Sequence, residues 1–405
     1  MKVLQIETIY SGSGISGMVL SLTEALTAHG DECKFAFGRK RIPVKSCHFD
    51  KVFYVGDRMG VYCHYVLSRL FDRAGFYSSR GTKKLIRFIE EYKPDIIHLH
   101  SLLGYYINVK MLFEYLSRSG IPVVWTHHDC WAFTGRCIHF ITADCEKWRT
   151  VCHDCPLLSE YPKSILADNS ERNYKEKRSL FNSLEKMVSV APSSWLASYL
   201  KESFLSSYPV KVIPNGIDRG VFTPTDSGIK KEMGISEKIL LLAVASTWAE
   251  TKGLDCLFET YRLMDKKRFA LAVIGLSEKQ IKNAPQGVIA MKRTNDVHQL
   301  VRWYSAADLF LNPTAADNFP TVNIEALSCG TPVVTFNTGG AGEMVGNCGM
   351  VVDDKTPSGL YQAVLELCKK LPSREECVRQ AEKYDKDVMT SRYIKLYEDI
   401  LKTNE

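Results

Sequence analysis

Short apolar runs alternate with helical stretches along nearly the whole chain, and the alternation begins twice. Val3–Ile9, Cys33–Phe37, Asp95–His100 and Pro122–Thr126 read as strands, and a helix is expected over Gly17–Ala28. Strands apolar on both faces belong to parallel sheets that helices cover on both sides. The pattern restarts with Ile239–Ala245, Ala270–Ile274, Gly287–Met291, Leu309–Asn312 and Pro332–Phe336. This predicts an α/β chain of two doubly wound, Rossmann-like domains. A length of 405 residues agrees, since one core rarely organises so many. Turn residues cluster at Val212-Ile213-Pro214-Asn215-Gly216-Ile217-Asp218 and put the boundary there. The first domain is expected over 1–218 and the second over 219–385. The remaining 386–405 carries an amphipathic helix at Ser391–Leu401.

Composition narrows the partners. With 45% hydrophobic and 24% charged residues the chain reads as a soluble globular enzyme. No apolar run reaches the roughly 18 residues of a membrane helix. The first residues, Met1-Lys2-Val3-Leu4-Gln5-Ile6-Glu7, set an acid inside what would be a signal core, so a cytoplasmic location is expected. A net charge of +6 gives no ground for a nucleic-acid partner but favours anionic ligands and an anionic membrane surface. Thirteen cysteines, an odd number, argue for reduced thiols over a disulfide framework. Cys33, Cys256, Cys329 and Cys368 sit in apolar contexts and read as small core residues.

The chemistry concentrates at Ala316-Asp317-Asn318-Phe319-Pro320-Thr321-Val322-Asn323-Ile324-Glu325 and the Cys329-Gly330-Thr331-Pro332 turn beyond it. Seven residues separate the carboxylates of Asp317 and Glu325, one in a loop and one about two turns into a helix. Such a pair can meet two separate parts of one ligand. The stretch resembles the acid-x7-acid signature of retaining glycosyltransferases of the family 4 type, with the GT-B fold. The family has Glu-Gly-Phe-Gly where this chain has Asp317-Asn318-Phe319-Pro320.

The resemblance implies two lobes facing each other across a cleft, a nucleotide-sugar donor held mainly by the second lobe, and a terminal helix that crosses back to the first. It assigns Glu325 to the donor ribose and Asp317 to the sugar hydroxyls, with Asn318 and Phe319 also among the donor-binding residues. Lys252-Gly253 matches the family's Lys-Gly, a grip on the donor diphosphate. The arginine that usually precedes it is replaced near Ser246 and Thr247, and Arg293 is the candidate substitute cation. Thr338-Gly339-Gly340-Ala341-Gly342-Glu343 resembles the family's Gly-Gly-x-x-Glu, so Gly339 and Gly340 offer backbone amides to the donor. The resemblance also implies retention of anomeric configuration without a catalytic metal or other cofactor.

Gly12-Ser13-Gly14-Ile15-Ser16-Gly17 matches a dinucleotide-binding loop. That reading needs an acid at the end of the second strand, which instead runs Phe37-Gly38-Arg39-Lys40 and leaves only NADP open, through Arg39. In the glycosyltransferase reading the same loop, at Gly14, turns a helix N-terminus toward the donor diphosphate.

His128, in Trp125-Thr126-His127-His128-Asp129, matches a family histidine close to the reacting sugar. Beyond it, over about 130–160, lies a cysteine-bearing insert resembling that of a bacterial subset linked to surface polysaccharides of the colanic acid or capsule kind. Its Cys137, Cys145, Cys152 and Cys155 suit a structural zinc that would staple a polar loop, with free thiols or a disulfide as alternatives. Between Asp57 and Lys93, eight Lys/Arg and four Asp/Glu interleave with Tyr62, Tyr65, Phe71, Phe76 and Tyr77. This segment suits peripheral contact with an anionic membrane carrying a lipid-linked acceptor. A glycosyltransferase acting on a glycan or lipid-linked acceptor is therefore the leading expectation. An NADP-dependent oxidoreductase and a catalytically silent GT-B binding protein are the alternatives.

Overall fold

The computed structural model describes residues 1–11, 14–40, 52–294 and 296–403. The chain divides into two compact units, Met1–Pro214 together with Met389–Glu405, and Asn215–Val388.

In the first unit seven strands form one parallel sheet: β1 (Lys2–Tyr10), β2 (Glu32–Lys40), β3 (Val52–Tyr54), β4 (Ile96–Leu99), β5 (Val123–Thr126), β6 (Met187–Ala191) and β7 (Val210–Val212). Their order is β3-β2-β1-β4-β5-β6-β7. The second unit has six: β8 (Ile239–Val244), β9 (Phe269–Ile274), β10 (Ile289–Met291), β11 (Leu309–Asn312), β12 (Val333–Phe336) and β13 (Gly349–Val352). They run in the order β10-β9-β8-β11-β12-β13, again all parallel. In each sheet the first strand lies inside, winding proceeds to one side, and the chain then returns to build the other. The winding reverses between β1 and β4 in one unit and between β8 and β11 in the other.

Central strands are buried on both faces, which is why they read as continuous apolar runs; every residue of β4, β5, β9, β11 and β12 is buried. Local signals stop and start the helices between them. Asn108 caps the helix Val109–Ser119 by accepting from the Met111 amide, and Gly120 ends it in the left-handed region. Thr356 caps Pro357–Leu367, whose proline occupies the first turn, where its missing N–H costs nothing. The first helix begins at Gly14, three residues before the expected Gly17. Gly12 and Ser13 lie outside the described residues. β3, β6, β7 and β13 are not in the sequence reading; all are short, and β3, β7 and β13 sit at or beside the sheet edges where apolar patterning is weakest.

The last helix runs Lys386–Lys402, longer than Ser391–Leu401. From Met389 onward it belongs to the first unit, where Met389, Tyr393 and Tyr397 pack with Val3, Leu22, Leu26, Ile96 and Val190. Tyr397 is fully buried and its hydroxyl meets His98 Nδ1 at 2.6 Å, while Tyr393 meets Thr126 Oγ1 at 2.9 Å. In the second unit, the incoming and outgoing passages of chain lie side by side. Ile217 pairs with Asp385, and Lys386 Nζ reaches Asp218 at 2.6 Å.

The insert packs into the core of the first unit. Phe133, Phe140 and Trp148 are buried and meet one another edge-on or tilted, and Phe140 and Trp148 also meet Tyr199, with ring centroids 5.0 to 6.3 Å apart. Arg136 is buried and ion-paired to Asp72 at 2.6 Å; it also donates to the carbonyls of Leu157 and Pro162. A loop too polar to hold itself, the reason for expecting a metal staple, is therefore not what the chain folds. Removal of the Tyr397 ring by Tyr397→Ala is expected to destabilise the first unit by about 3–5 kcal/mol, the usual cost of an aromatic cavity. Chemical denaturation followed by tryptophan fluorescence measures it.

Candidate active site

Ligands of open parallel sheets bind outside the carboxyl ends of the strands where the winding reverses. In the second unit that point lies between the loops after β8 and β11. The first carries Lys252 and the second Asp317, and the two meet: Lys252 Nζ lies 2.5 Å from Asp317 Oδ2, both side chains partly exposed. The loops are stitched at the backbone. Ala315 N donates to Thr251 O at 2.7 Å, and Thr314 Oγ1 donates to the same carbonyl. Gly253, at φ +75°, presses against Pro313; a Cβ there would stand 2.1 Å from the Pro313 carbonyl oxygen. Lys252-Gly253 is thus a geometric pair, the glycine allowing the close approach that sets the lysine beside Asp317.

The loop after β12 joins them. A Cβ on Gly339 would stand 1.8 Å from the Asp317 carbonyl oxygen, and Gly340 N donates to Asn318 O at 3.0 Å. The Gly340 amide is consequently engaged by protein. Asn318 and Phe319 are buried; Phe319 packs in the core and its ring meets Tyr384 at 5.8 Å. Their side chains build the loop, and Asp317 is what it presents. Arg293 follows edge strand β10, two strands from β8, and is exposed. The structure does not bring it to Lys252. Ser246 and Thr247 are exposed at the end of β8.

Glu325 lies in the helix Thr321–Ser328, which starts after Pro320 and ends at a Gly330 of φ +81°. Its Oε2 accepts from the Tyr304 hydroxyl at 2.9 Å and its Oε1 from Thr321 Oγ1 at 3.2 Å. Burial raises the Glu325 pKa, and the two hydroxyl donors oppose that rise. Tyr304 is fully buried in the helix Val297–Ala306 and was not singled out by sequence. No local motif marks a tyrosine that reaches a carboxylate 21 positions away.

In the first unit a cavity opens at the carboxyl ends of β4 and β5, lined by His100, Ser101, Trp125, His127, His128 and Asp129 among others. His128 is half-buried and meets His100 Nδ1 through its Nε2 at 3.3 Å. Desolvation pushes its pKa down to about 3, which leaves the imidazole uncharged at neutral pH. His127 is buried, with Nε2 3.3 Å from Ser189 Oγ. Asp129 is raised to about 6 by burial and accepts from the Trp131 amide. Gly14, at φ +61°, opens its helix and is exposed.

Cys137, Cys145, Cys152 and Cys155 line one cavity together. Among the described residues, however, no three or more His, Cys, Asp or Glu side chains stand where they can share a metal ion. The thiols gather around the cavity, and burial raises the pKa of Cys137 to about 12 and of Cys152 to about 11. Elsewhere Cys33 and Cys329 are buried as expected of core residues, while Cys256 and Cys368 are partly exposed.

These two Rossmann-like units, with a cation and carboxylates at the switch point of the second, define a glycosyltransferase of the GT-B class. Solved structures share the fold: the Anabaena protein HepE in complex with UDP (TM-score 0.70, 14% identity, 98% of this chain and 100% of that one). Sucrose-phosphate synthase from Thermosynechococcus elongatus does so as well (TM-score 0.69, 14% identity, all of both chains). Residues 12–220 match the profile of Glycosyltransferase Family 4, and residues 238–370 that of Glycosyl transferases group 1. The chain belongs to glycosyltransferase family 4. It is 26% identical over 364 residues, 86% of each chain, to the putative colanic acid biosynthesis glycosyl transferase WcaC of Escherichia coli strain K12. It is also 26% identical over 220 residues to a D-inositol 3-phosphate glycosyltransferase of Thermomonospora curvata, covering 46% of this chain and 51% of that one. The family match runs through the glycine loop, and the oxidoreductase alternative finds no support.

One buried acid stands outside these assignments. Glu7, in β1 beside the winding reversal, is 3% exposed and accepts from the Ser101 amide at 2.8 Å. Burial raises its pKa to about 7, from 4.5, against the hydrogen bonds that lower it. The folded protein therefore keeps this proton while the unfolded chain loses it. Stability contributed by Glu7 is complete below pH 4.5 and fades as pH rises to about 7. Between pH 4.5 and 8 the wild type should lose about 3 kcal/mol more than Glu7→Gln, measured by urea denaturation at each pH.

Proposed function

We propose that this protein transfers a sugar, with retention of configuration and without a metal, from a nucleoside-diphosphate sugar to a glycan or lipid-linked acceptor in surface-polysaccharide synthesis. The observation that carries it is the convergence of Lys252 and Asp317 over the switch point of the second unit, with Glu325 on the next helix. Lys252 meets the donor diphosphate and balances the charge that grows as the glycosidic bond breaks. Glu325, oriented by Tyr304 and Thr321, accepts from the ribose hydroxyls. Asp317 takes the sugar hydroxyls and holds Lys252 in place before the donor arrives. The acceptor hydroxyl attacks on the face the leaving phosphate vacates, and that phosphate takes its proton. His128 hydrogen-bonds a sugar hydroxyl as a neutral imidazole. Solved neighbours of the same fold, HepE in complex with UDP-glucose and a starch synthase bound to ADP among them, support a nucleotide-sugar donor, and the likeness to WcaC supports the polysaccharide context.

A thermal-shift screen against UDP-, GDP- and ADP-sugars identifies the donor. With it, Lys252→Ala should lower turnover roughly 10²–10³-fold. Glu325→Gln should weaken donor binding roughly 10- to 100-fold, as loss of charge-assisted bonds requires. Unchanged binding and turnover in both variants would remove the assignment. Donor binding with neither transfer nor donor hydrolysis would favour a silent binding protein, the reading that the replaced arginine and the aspartate at 317 support.

The acceptor side of the proposal includes a membrane. On the helix Arg58–Phe71, Met59, Tyr62, Tyr65 and Phe71 are exposed beside Arg58 and Arg69. Exposed Ile165 and Leu166 adjoin its end, where Ile165 N donates to Arg69 O. Phe76 is buried in the core, so the contact falls on the helix rather than on the whole basic segment. Among the described residues no helix is long and apolar enough to cross a membrane. Binding to vesicles containing phosphatidylglycerol, and its loss in Met59→Ser/Tyr62→Ser, is expected in co-sedimentation. Equal binding to purely zwitterionic vesicles would exclude the charge-dependent contact.

A further inference from the structure

His128 meets a chain of buried polar groups whose far end is fixed. Gln5, fully buried in β1, turns its amide nitrogen toward three acceptors: Val19 O at 3.3 Å, Thr23 Oγ1 at 3.1 Å and Cys33 Sγ at 3.6 Å. Thr23 spends its own hydroxyl proton on Val19 O at 2.8 Å, so it accepts from Gln5. A flipped amide would set oxygen against the Val19 carbonyl. Gln5 Oε1 therefore faces the other way, and His100 Nε2 lies 3.0 Å from it. An amide oxygen only accepts, so His100 carries its proton on Nε2. Burial holds the His100 pKa well below 6.5, leaving Nδ1 without a proton. That bare nitrogen faces His128 Nε2 at 3.3 Å, with the two rings nearly parallel at 16°. Two bare nitrogens would repel there, so His128 donates.

We propose that Gln5 and His100 are positioning residues that fix His128 as the Nε2–H tautomer and make its Nδ1 the accepting nitrogen. The backbone supports the arrangement: His100 N donates to Ile6 O, and the Trp125 indole donates to His100 O at 3.1 Å. A sugar hydroxyl that reaches Nδ1 must then donate to it, which selects a hydroxyl over a carbonyl or phosphate oxygen at this point. The tautomer follows from the buried network whatever the reaction, while its use in sugar recognition rests on the function proposed above.

Long-range ¹H–¹⁵N spectra of protein labelled at histidine test it without substrate, His128 being assigned by the signal lost in His128→Gln. The wild type should show His128 as a single neutral Nε2–H tautomer. Gln5→Met, which keeps the chain length and removes the acceptor, and His100→Phe, which keeps a ring without nitrogens, should each replace that signature with a mixture. An Nδ1–H signature in the wild type overturns the proposal by itself, even if neither variant folds. A single Nε2–H tautomer that persists in both folded variants overturns it equally. If the tautomer stands and no nucleotide sugar is bound, the network survives and the glycosyltransfer reading of this site fails separately.

Discussion

Each sheet turns on its first strand. β1 and β8 are laid down inside their sheets, winding runs off to one side, and the chain must return across the strand ends to build the other side. Adjacent connections then leave in opposite directions and open a crevice that no helix covers. The groups assigned chemistry here stand at or next to those two points. Lys252 and Asp317 flank the reversal between β8 and β11, while Glu7 and His100 flank the one between β1 and β4. The position of the sites is a consequence of strand order before it is a consequence of any side chain.

Energetics explain why the Lys252–Asp317 pair can be both a structural contact and a binding site. Both side chains are partly exposed, and such a pair contributes about 0–1 kcal/mol. It is strong enough to bias a flexible lysine toward the crevice and too weak to keep an anion of higher charge from taking its place. The shorter reach of aspartate is compensated by the loop: Gly253 against Pro313 and Gly339 against Asp317 are approaches a side chain would block. The glycines in these stretches matter as contacts between backbones, and only secondarily as donors of amides.

How much was legible follows from range. Five of six strands in the second unit announce themselves because each is a continuous apolar run, and Lys252, Asp317 and Glu325 stand out through their resemblance to family motifs beside such runs. Arg293 follows β10, and because β8, β9 and β10 are laid down in succession outward, β10 lies at the sheet edge, two strands from the winding reversal. Phe319, placed among the donor residues by the family resemblance, has its ring packed in the core, where it anchors the loop. Tyr304, Gln5 and His100 act through contacts made across 21 to 95 positions, and no local pattern encodes those. The packing of the insert is illegible for a related reason: the groups that hold the loop include Phe133, Phe140, Trp148 and a buried Arg136–Asp72 pair, whose ion pair spans 64 positions.

The two units treat charge in opposite ways. In the first, desolvation holds His98, His100, His127 and His128 neutral, and it raises Glu7 and Asp129 toward neutrality. In the second, the residue at the switch point is a lysine open enough to keep its hydration. Burying an uncompensated charge costs several kcal/mol, so a pocket of neutral imidazoles suits groups that arrive uncharged, such as hydroxyls. A diphosphate instead needs a cation it can reach without a desolvation cost to that cation, which a half-exposed lysine provides. The two pockets therefore differ by solvation in the charge of the groups they suit.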